Sequence, residues 1–256
     1  MRPEGKFMSK KYLNKIIKKY NVDRNDFTQA IIKGSELINQ LKNINLNYTG
    51  ICGSFAKGTT ISFNSELDIL LSINSTNFDI LPNIYNELYN YLINAGYNPY
   101  NKNISIGVMV DTYKFNLIPV CKDSQSRYRY VIYKAKTNSY IKTDLSKHTL
   151  HVEDSFRTSE IKLLKIWREL HHLNFPSLYL ESVIIKCLKK CMYKDIESNF
   201  VEILSFLANN LQNTKFLDVD NSSNVISDDL SVYEKIRLAN QAQISYQADA
   251  WEEVVW

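Results

Sequence analysis

The sequence predicts an α+β fold, in which a mixed sheet with covering helices precedes a helical bundle, with a cleft between the two parts. Apolar runs of strand length are confined to the first half of the chain. Helical periodicity dominates from residue 158 onward. We therefore predict two domains, with N-terminal helices and a sheet-bearing core at residues 1–155 and a helical domain at residues 156–256.

Apolar runs bounded by polar or turn residues predict four strands in the first half. They lie at about residues 45–52, 66–73, 104–110 and 113–120. Helical periodicity over residues 9–44, broken near Tyr20, predicts two helices or one kinked helix. A short helix is expected to begin at Ser54, and a helix over residues 78–95 is expected to cover the sheet.

The segment from Lys122 to His151 is polar and rich in tyrosine, and we interpret it as irregular. Periodicity beyond this segment predicts four helices. They cover Thr158–His171, Ser177–Tyr193, Phe200–Asn210 and Ser231 to the C-terminus. These helices supply the predicted bundle.

Composition narrows the class of protein. The 256 residues carry a net charge of +4, which is too small to indicate nucleic-acid binding by itself. The four cysteines show neither zinc-ligand spacing nor a disulfide framework, which favours a reducing cytoplasm. No apolar run has the length of a membrane span, so no membrane association is expected. Met8 is a possible native start, with residues 1–7 an extension.

One short stretch combines a Gly-Ser turn with two carboxylates. Gly53 and Ser54 are followed by Glu66 and Asp68, which lie two residues apart in an apolar run. Side chains two apart on a strand share a face, so the carboxylates repel each other and need a compensating cation. A divalent metal supplies that charge, and the Gly-Ser turn is placed to hold phosphates that the metal bridges. The alternative is a surface turn followed by an ordinary strand.

These residues carry a resemblance to a known family. Gly53-Ser54 followed by Glu66-x-Asp68 resembles the signature of the polymerase-beta-like nucleotidyltransferases. The fuller string GSFAKGTTISFNSELDIL is similar to the oligoadenylate-synthase and cGAS/DncV-like branch (the CD-NTases). The resemblance implies a polymerase-beta-like nucleotidyltransferase core, nucleoside triphosphate substrates and two Mg²⁺ (or Mn²⁺) ions held by three carboxylates.

The segment that matches the third carboxylate, Phe115–Pro119, carries Asn116 where the family usually carries Asp. An amide oxygen can ligate a metal but cannot take a proton from an attacking hydroxyl. Three explanations stay open: a deliberate substitution that traps substrate, a naturally weakened or inactive member, or a third carboxylate supplied by Asp111. Asp111 lies five residues away, an odd offset that faces the other side of a regular strand, so we favour Asn116.

The second half adds three residues to the site that the resemblance implies. Lys165, on an amphipathic helix, matches a lysine that neutralises the triphosphate, although a solvated lysine is the alternative. Ser177 begins a segment similar to the family's phosphate-contacting helix start. Tyr179 either stacks on a base or packs in the core. The segment Asp218–Val225 resembles the family's loop before the last helix.

The resemblance implies an enzyme that joins nucleoside triphosphates into cyclic or linear oligonucleotide second messengers. Such enzymes serve bacterial antiphage signalling of the CBASS type, where the product acts on a downstream effector. Two alternatives remain: nucleotide transfer to RNA or protein, and a catalytically silent nucleotide-binding regulator, which Asn116 motivates. Without accompanying Cys or acidic spacing, the four histidines are interpreted as surface or cleft residues and not as metal ligands.

Overall fold

The computed structural model of the protein describes residues 10–41, 44–63, 65–124, 126 and 128–256, and the possible start at Met8 lies outside them. The chain forms two compact units. The sheet unit comprises Val22–Thr60 and Asn64–Leu150, and the helical unit comprises the chain up to Asn21, Ile61–Phe63 and His151–Trp256. The predicted division at residue 155 placed the first helix with the sheet. That helix, α1 (Lys10–Lys19), belongs instead to the helical unit, because Leu13 and Ile16 are buried in its core.

The described residues of the sheet unit form one mixed seven-stranded sheet. Its strands are β1 (Leu46–Cys52), β2 (Glu66–Ile73), β3 (Tyr100–Asn101), β4 (Ile106–Val110), β5 (Tyr113–Lys122), β6 (Tyr130–Lys134) and β7 (Ser139–Thr143). The main order is β1-β2-β5-β4-β3, and β6 pairs with both β5 and β7. Among the strands of the described residues, only β2 and β5 pair in parallel. The four predicted strands correspond to β1, β2, β4 and β5.

Helices cover one face of this sheet. They are α2 (Arg24–Gln40), α4 (Leu81–Asn94) and a short 3-10 turn at Phe78–Ile80, while α3 (Gly53–Ala56) is a single turn after β1. Leu67, Ile69 and Leu71 of β2 face α2 and α4 within the main core of the unit. Because side chains alternate along a strand, Glu66 and Asp68 lie on the opposite face, which Leu70 shares.

The segment from Lys122 to His151 is more regular than predicted. It contains β6, β7 and the start of α5 (Leu145–Glu153). Val131 and Ile132 are consecutive and both buried, in clusters on the two opposite faces of the sheet. A strand buried on both faces shows no apolar alternation, so its sequence lacks the signal that marks a half-buried strand.

The helical unit is built from α1 and four longer C-terminal helices. These are α6 (Thr158–Leu170), α7 (Ser177–Cys187), α8 (Ile196–Asn209) and α9 (Val232–Gln247), with 3-10 turns at Leu211–Asn213, Ile226–Asp229 and Trp251–Glu253. Trp167, Phe200 and Trp251 are fully buried in its core. The predicted α+β class, a mixed sheet followed by C-terminal helices, is confirmed. Among the described helices, none is both long and apolar enough to cross a bilayer.

Several helix boundaries differ from the predicted ones, among them the end of α9, which lies at Gln247 and not at the C-terminus. Helix α7 ends at Cys187 and not at Tyr193. The buried guanidinium of Arg157 donates to the carbonyl oxygens of Leu188 (2.9 Å) and Cys191 (2.6 Å), which satisfies the carbonyl groups beyond the helix end without a further turn. Helix α8 begins four residues earlier than predicted because Asp195 caps it, accepting from the Ser198 amide.

Candidate functional site

One register row of the sheet carries the centre of the candidate site. From β1 to β3, the row consists of Cys52, Asp68, Asn116, Gly107 and Tyr100. Neighbours in such a row point to the same face of a sheet, and Glu66 shares that face with Asp68. The parallel pairing of β2 with β5 thus places Asn116 directly beside Asp68.

The Asn116 amide joins the two carboxylates. Its Nδ2 donates to Asp68 Oδ1 at 2.7 Å and to Glu66 Oε2 at 2.9 Å. Its Oδ1 is buried and has no hydrogen-bond partner among the described residues. Leaving a buried acceptor unsatisfied costs about 1–3 kcal/mol, so a ligand that reached this oxygen would recover that free energy.

Glu66 has a second set of partners on the other side. Lys102 Nζ lies 2.8 Å from Oε1 and 2.7 Å from Oε2, which makes a salt bridge to both oxygens of the carboxylate. The Tyr100 hydroxyl donates to Oε1 at 3.3 Å, and the Lys102 ammonium lies 5.5 Å from the centre of the Tyr100 ring. The described environment of Glu66 is therefore rich in N–H and O–H donors.

The pKa values of the two carboxylates shift in opposite directions. Burial acts to raise the pKa of Glu66, but hydrogen bonds from Lys102 and Asn116 and the charge of Lys102 outweigh it, so the pKa lies below its ordinary value. Burial raises the pKa of Asp68, and the nearby charge of Glu66 adds to this, against the hydrogen bond from Asn116. Asp68 is the carboxylate whose ionised form most lacks a compensating charge.

The Gly-Ser turn approaches Asp68 closely. Gly53 has a φ of +65°, and a Cβ at this position would lie 1.9 Å from Asp68 Oδ2. Glycine is required here because the φ is positive and because there is no room for a Cβ beside Asp68. The adjacent Ser54 hydroxyl accepts a hydrogen bond from Thr60 at 3.1 Å. Of the residues predicted for the site, the structure brings Gly53, Glu66, Asp68 and Asn116 into direct neighbourhood.

The site offers oxygen atoms that suit a divalent cation, but it has two carboxylates where the family resemblance implies three. Two carboxylates and one side-chain amide are oxygen donors of the kind that Mg²⁺ and Mn²⁺ accept. The nitrogen of the Asn116 side-chain amide now faces the carboxylates, and its Oδ1 has no hydrogen-bond partner among the described residues. Rotating the amide by half a turn would place Oδ1 where the nitrogen now lies. Among the described residues, however, no three His, Cys, Asp or Glu side chains form a cluster suited to a metal.

Lys165 and Ser177 belong to the helical unit, where each has a protein partner. The buried Lys165 ammonium lies 3.2 Å from Glu181 Oε1, an ion pair in which both side chains are less than a twentieth exposed. Ser177 Oγ accepts from Arg168 Nη1 at 3.2 Å, and the same nitrogen donates to the Phe175 carbonyl. The triphosphate contacts implied for both residues stay predictions.

The structure places Tyr179 in the core of the helical unit. Its ring is fully buried between Phe175 and Phe216, with ring centres 5.2 Å away in each case. Burial raises the pKa of its hydroxyl to about 12. A base cannot stack on an enclosed ring, so core packing, the second alternative for this residue, describes the structure. This corrects its assignment to the nucleotide site.

Three residues of the site were missed from the sequence. Lys102 and Tyr100 lie in a polar stretch with no periodicity, and they reach Glu66 only because β3 and β4 extend the sheet beyond β5. Gly107 makes room for Tyr100, since a Cβ at this position would lie 2.2 Å from its ring. A lysine four residues before an apolar strand gives no signal that it pairs with a carboxylate 36 positions earlier.

Other side chains considered for the site have structural roles. Asp111, the alternative third carboxylate, occupies the hairpin turn between β4 and β5 with a φ of +55° and pairs with Lys33 at 3.3 Å. Asp218 closes the loop before α9 by accepting from Asn224 Nδ2 at 3.0 Å. His148 is buried and lies 3.2 Å from Thr143 Oγ1.

A mixed sheet with this acidic pair, followed by C-terminal helices, is the polymerase-beta-like nucleotidyltransferase fold that the sequence predicted, in the form found in CD-NTases. No protein-family model and no curated protein matches the chain. Solved structures do match. CdnC of E. coli MS115-1 with ATP is 17% identical, with a TM-score of 0.75 over 93% of this chain and 90% of that one.

Two further structures show the same similarity. The CD-NTase CdnG of Bradyrhizobium diazoefficiens, in complex with GTP, is 10% identical with a TM-score of 0.71, and 92% of each chain is covered. The CdnE cyclic dinucleotide synthase of Elizabethkingia meningoseptica, with GTP and Apcpp, is 14% identical with a TM-score of 0.67. That match covers 94% of this chain and 99% of CdnE. The chain therefore has the CD-NTase fold.

Proposed function

We propose that the protein is a nucleotidyltransferase that joins nucleoside triphosphates into a cyclic or linear oligonucleotide second messenger, in bacterial antiphage signalling of the CBASS type. One observation carries the proposal: Glu66 and Asp68 share a strand face with Asn116 beside them, within a CD-NTase fold. The similar structures with ATP, with GTP, and with GTP and Apcpp support nucleoside triphosphates as ligands.

Glu66 and Asp68 are the proposed ligands of Mg²⁺ or Mn²⁺, of which the resemblance implies two ions. Such ions, when bound, stabilise charge on the transferring phosphoryl group and lower the pKa of an attacking hydroxyl. Asn116 orients both carboxylates through its amide, and its oxygen can serve as a neutral ligand. Because an amide cannot accept a proton, residue 116 does not act as a base, and low turnover is expected.

The triphosphate is assigned to the neighbourhood of the Gly-Ser turn. Because Gly53 has no side chain, its backbone lies close to Asp68, and Ser54 offers a hydroxyl on the same turn. Lys165 and Ser177 are proposed to assist from the helical unit. To contact the triphosphate, the Lys165 ammonium has to leave Glu181 or to contact Glu181 and the triphosphate at the same time.

The test is to incubate the purified protein and its Asn116→Asp variant with mixed labelled nucleoside triphosphates and Mg²⁺ or Mn²⁺, with and without RNA. We expect a small product that resists phosphatase, formed slowly by the wild type and at least about a hundredfold faster by Asn116→Asp, the range of a general base. Asp68→Asn is the control and should form none. Label in RNA or protein would instead identify a different acceptor and contradict messenger synthesis.

A catalytically silent nucleotide-binding protein is the second candidate, and the hydrogen bonding of the site favours it. Both carboxylates are already satisfied in part by N–H groups of Asn116 and Lys102, without any metal. This candidate predicts that ATP or GTP binds in equilibrium dialysis while neither the wild type nor Asn116→Asp forms a product. Product formation by either protein rules it out.

A further inference from the structure

Glu66 is held by an internal cation. Lys102 Nζ contacts both of its carboxylate oxygens, at 2.8 and 2.7 Å. A divalent ion bound to Glu66 would coordinate one or both of these oxygens, where it would meet the positive charge of Lys102 at close range. Lys102 and a metal therefore compete for one carboxylate.

The charge of the site points the same way. Glu66 and Asp68 contribute two negative charges, and Lys102 returns one positive charge, whereas Asn116 adds none. Compared with the three carboxylates that the family resemblance implies, the site lacks one negative charge, and Lys102 places a positive charge beside Glu66. Both features weaken the attraction for a divalent cation.

Lys102 can also leave Glu66 at little cost. Its side chain is 32% exposed, so the ammonium can turn to solvent on its four-carbon stem. The Tyr100 ring, 5.5 Å from the ammonium, offers a second contact of the cation–π kind. A cation that binds the Glu66 carboxylate more strongly than Lys102 does can therefore break this salt bridge.

We propose that Lys102 competes with the divalent metal for Glu66 and thereby sets the metal affinity of the site. The proposal rests on the proposed function in taking Glu66 as a metal ligand, and it deepens that function by naming the residue that controls metal loading. Metal entry displaces Lys102 from Glu66. The displaced ammonium is then free to meet an anionic group.

The first test measures Mn²⁺ binding without nucleotide, from the electron paramagnetic resonance signal of the free ion. We expect Lys102→Met to bind Mn²⁺ at least about tenfold tighter than wild type, because a nearby positive charge is gone. Lys102→Arg keeps the charge and should stay near wild type. Lys33→Met is the matched control, since Lys33 also pairs with carboxylates and its side chain is also 32% exposed. Equal or weaker binding by Lys102→Met, or the same gain in Lys33→Met, overturns the proposal.

The second test uses wild-type protein and so does not depend on a variant folding. Amines are acetylated by a short pulse of reagent with and without Mn²⁺, and the modified lysines are read by mass spectrometry. We expect Mn²⁺ to increase the modification of Lys102 and to leave Lys33 unchanged. An unchanged or decreased modification of Lys102 at saturating Mn²⁺ contradicts displacement.

Neither test requires turnover, so the two proposals can fail separately. Tighter Mn²⁺ binding by Lys102→Met with no nucleotide product from any variant would leave the metal competition standing and reject the synthase. A product from the wild type, with no change in Mn²⁺ affinity in Lys102→Met, would reject only the role of Lys102.

Discussion

Asn116 lies opposite Asp68 in the parallel pair of β2 and β5, and its Nδ2 donates to Asp68 Oδ1 across 2.7 Å. The same nitrogen donates to Glu66 Oε2 at 2.9 Å. One neutral amide therefore bridges two carboxylates that repel each other. The identity of residue 116 thus affects the stability of the metal-free protein as well as the chemistry of the site.

Replacing Asn116 with Asp is expected to destabilise the metal-free protein by about 1–3 kcal/mol, since a buried hydrogen-bond donor becomes a third acceptor among like charges. Mg²⁺ or Mn²⁺ should restore the loss. Urea unfolding with and without the ion measures both effects. Asn116→Ala removes the donor without adding charge and should gain little from the ion. Equal stability of wild type and Asn116→Asp without metal would contradict the bridging role.

Replacing Gly53 with Ala is expected to disrupt the site through its close approach to Asp68. The new Cβ would overlap Asp68 Oδ2 and would sit at a φ of +65°. We expect a loss of about 2–4 kcal/mol in unfolding free energy, from the positive φ and the displaced carboxylate together, and a loss of Mn²⁺ binding.

Gly58 provides a matched control for this substitution. It has the same φ of +65°, but a Cβ there meets nothing within 4 Å. Gly58→Ala should therefore cost only the conformational part, about 1 kcal/mol, and leave Mn²⁺ binding unchanged. Equal losses of stability and equal Mn²⁺ binding in the two variants would show that the close approach of Gly53 to Asp68 affects neither stability nor metal binding.

Asp68→Asn is expected to stabilise the metal-free protein at neutral pH by about 1 kcal/mol, a typical single-site effect. Folding raises the pKa of Asp68, so the stability that Asp68 contributes is present at low pH and is lost as the pH rises through that raised pKa. Asn keeps the acceptor for Asn116 and cannot ionise. The gain should vanish as the pH falls below the folded pKa, which urea unfolding in a chelator across this pH range measures.

Glu66→Gln is the control with the opposite sign. Folding lowers the pKa of Glu66, so its contribution to stability is present above the ordinary carboxyl pKa and is lost as the pH falls through the lower folded value. Glu66→Gln should therefore be less stable than wild type at neutral pH, and the difference should shrink in acid. The same sign for both variants at neutral pH would show that the two environments do not differ as described.

The buried pair of Lys165 and Glu181 is expected to stabilise the helical unit. Removing one partner leaves an uncompensated buried charge, so Lys165→Met should cost about 3–5 kcal/mol in urea unfolding. The double variant Lys165→Met/Glu181→Leu should recover most of the loss. A Lys165→Met protein with unchanged stability but weakened ATP binding would instead assign this lysine to the triphosphate, as the family resemblance implies.

Several features were predictable because their signal is local. The apolar runs predicted β1 and β2 to within one residue, and the spacing of Glu66 and Asp68 placed both carboxylates on one face. The break near Tyr20 separated α1 from α2. Strand β6 was missed because burial on both faces removes the alternation that marks a strand.

The partners of these residues were not predictable, since they come from distant parts of the chain. Lys102 reaches Glu66 through the order of strands in the sheet, and that order is absent from any local pattern. Base stacking and core packing were both open for Tyr179, because an aromatic side chain on an amphipathic helix suits both. Only packing against Phe175 and Phe216 decided between them.

The sequence by itself determined the α+β class, the acidic pair behind a Gly-Ser turn and the neutral residue at position 116, because these depend on residue type and short spacing. The tertiary structure alone decided that Asn116 bridges the two carboxylates and that Lys102 occupies one of them. The reason is physical: hydrogen bonds and ion pairs depend on distances of about 3 Å, and only the pairing of β2, β5, β4 and β3 sets those distances.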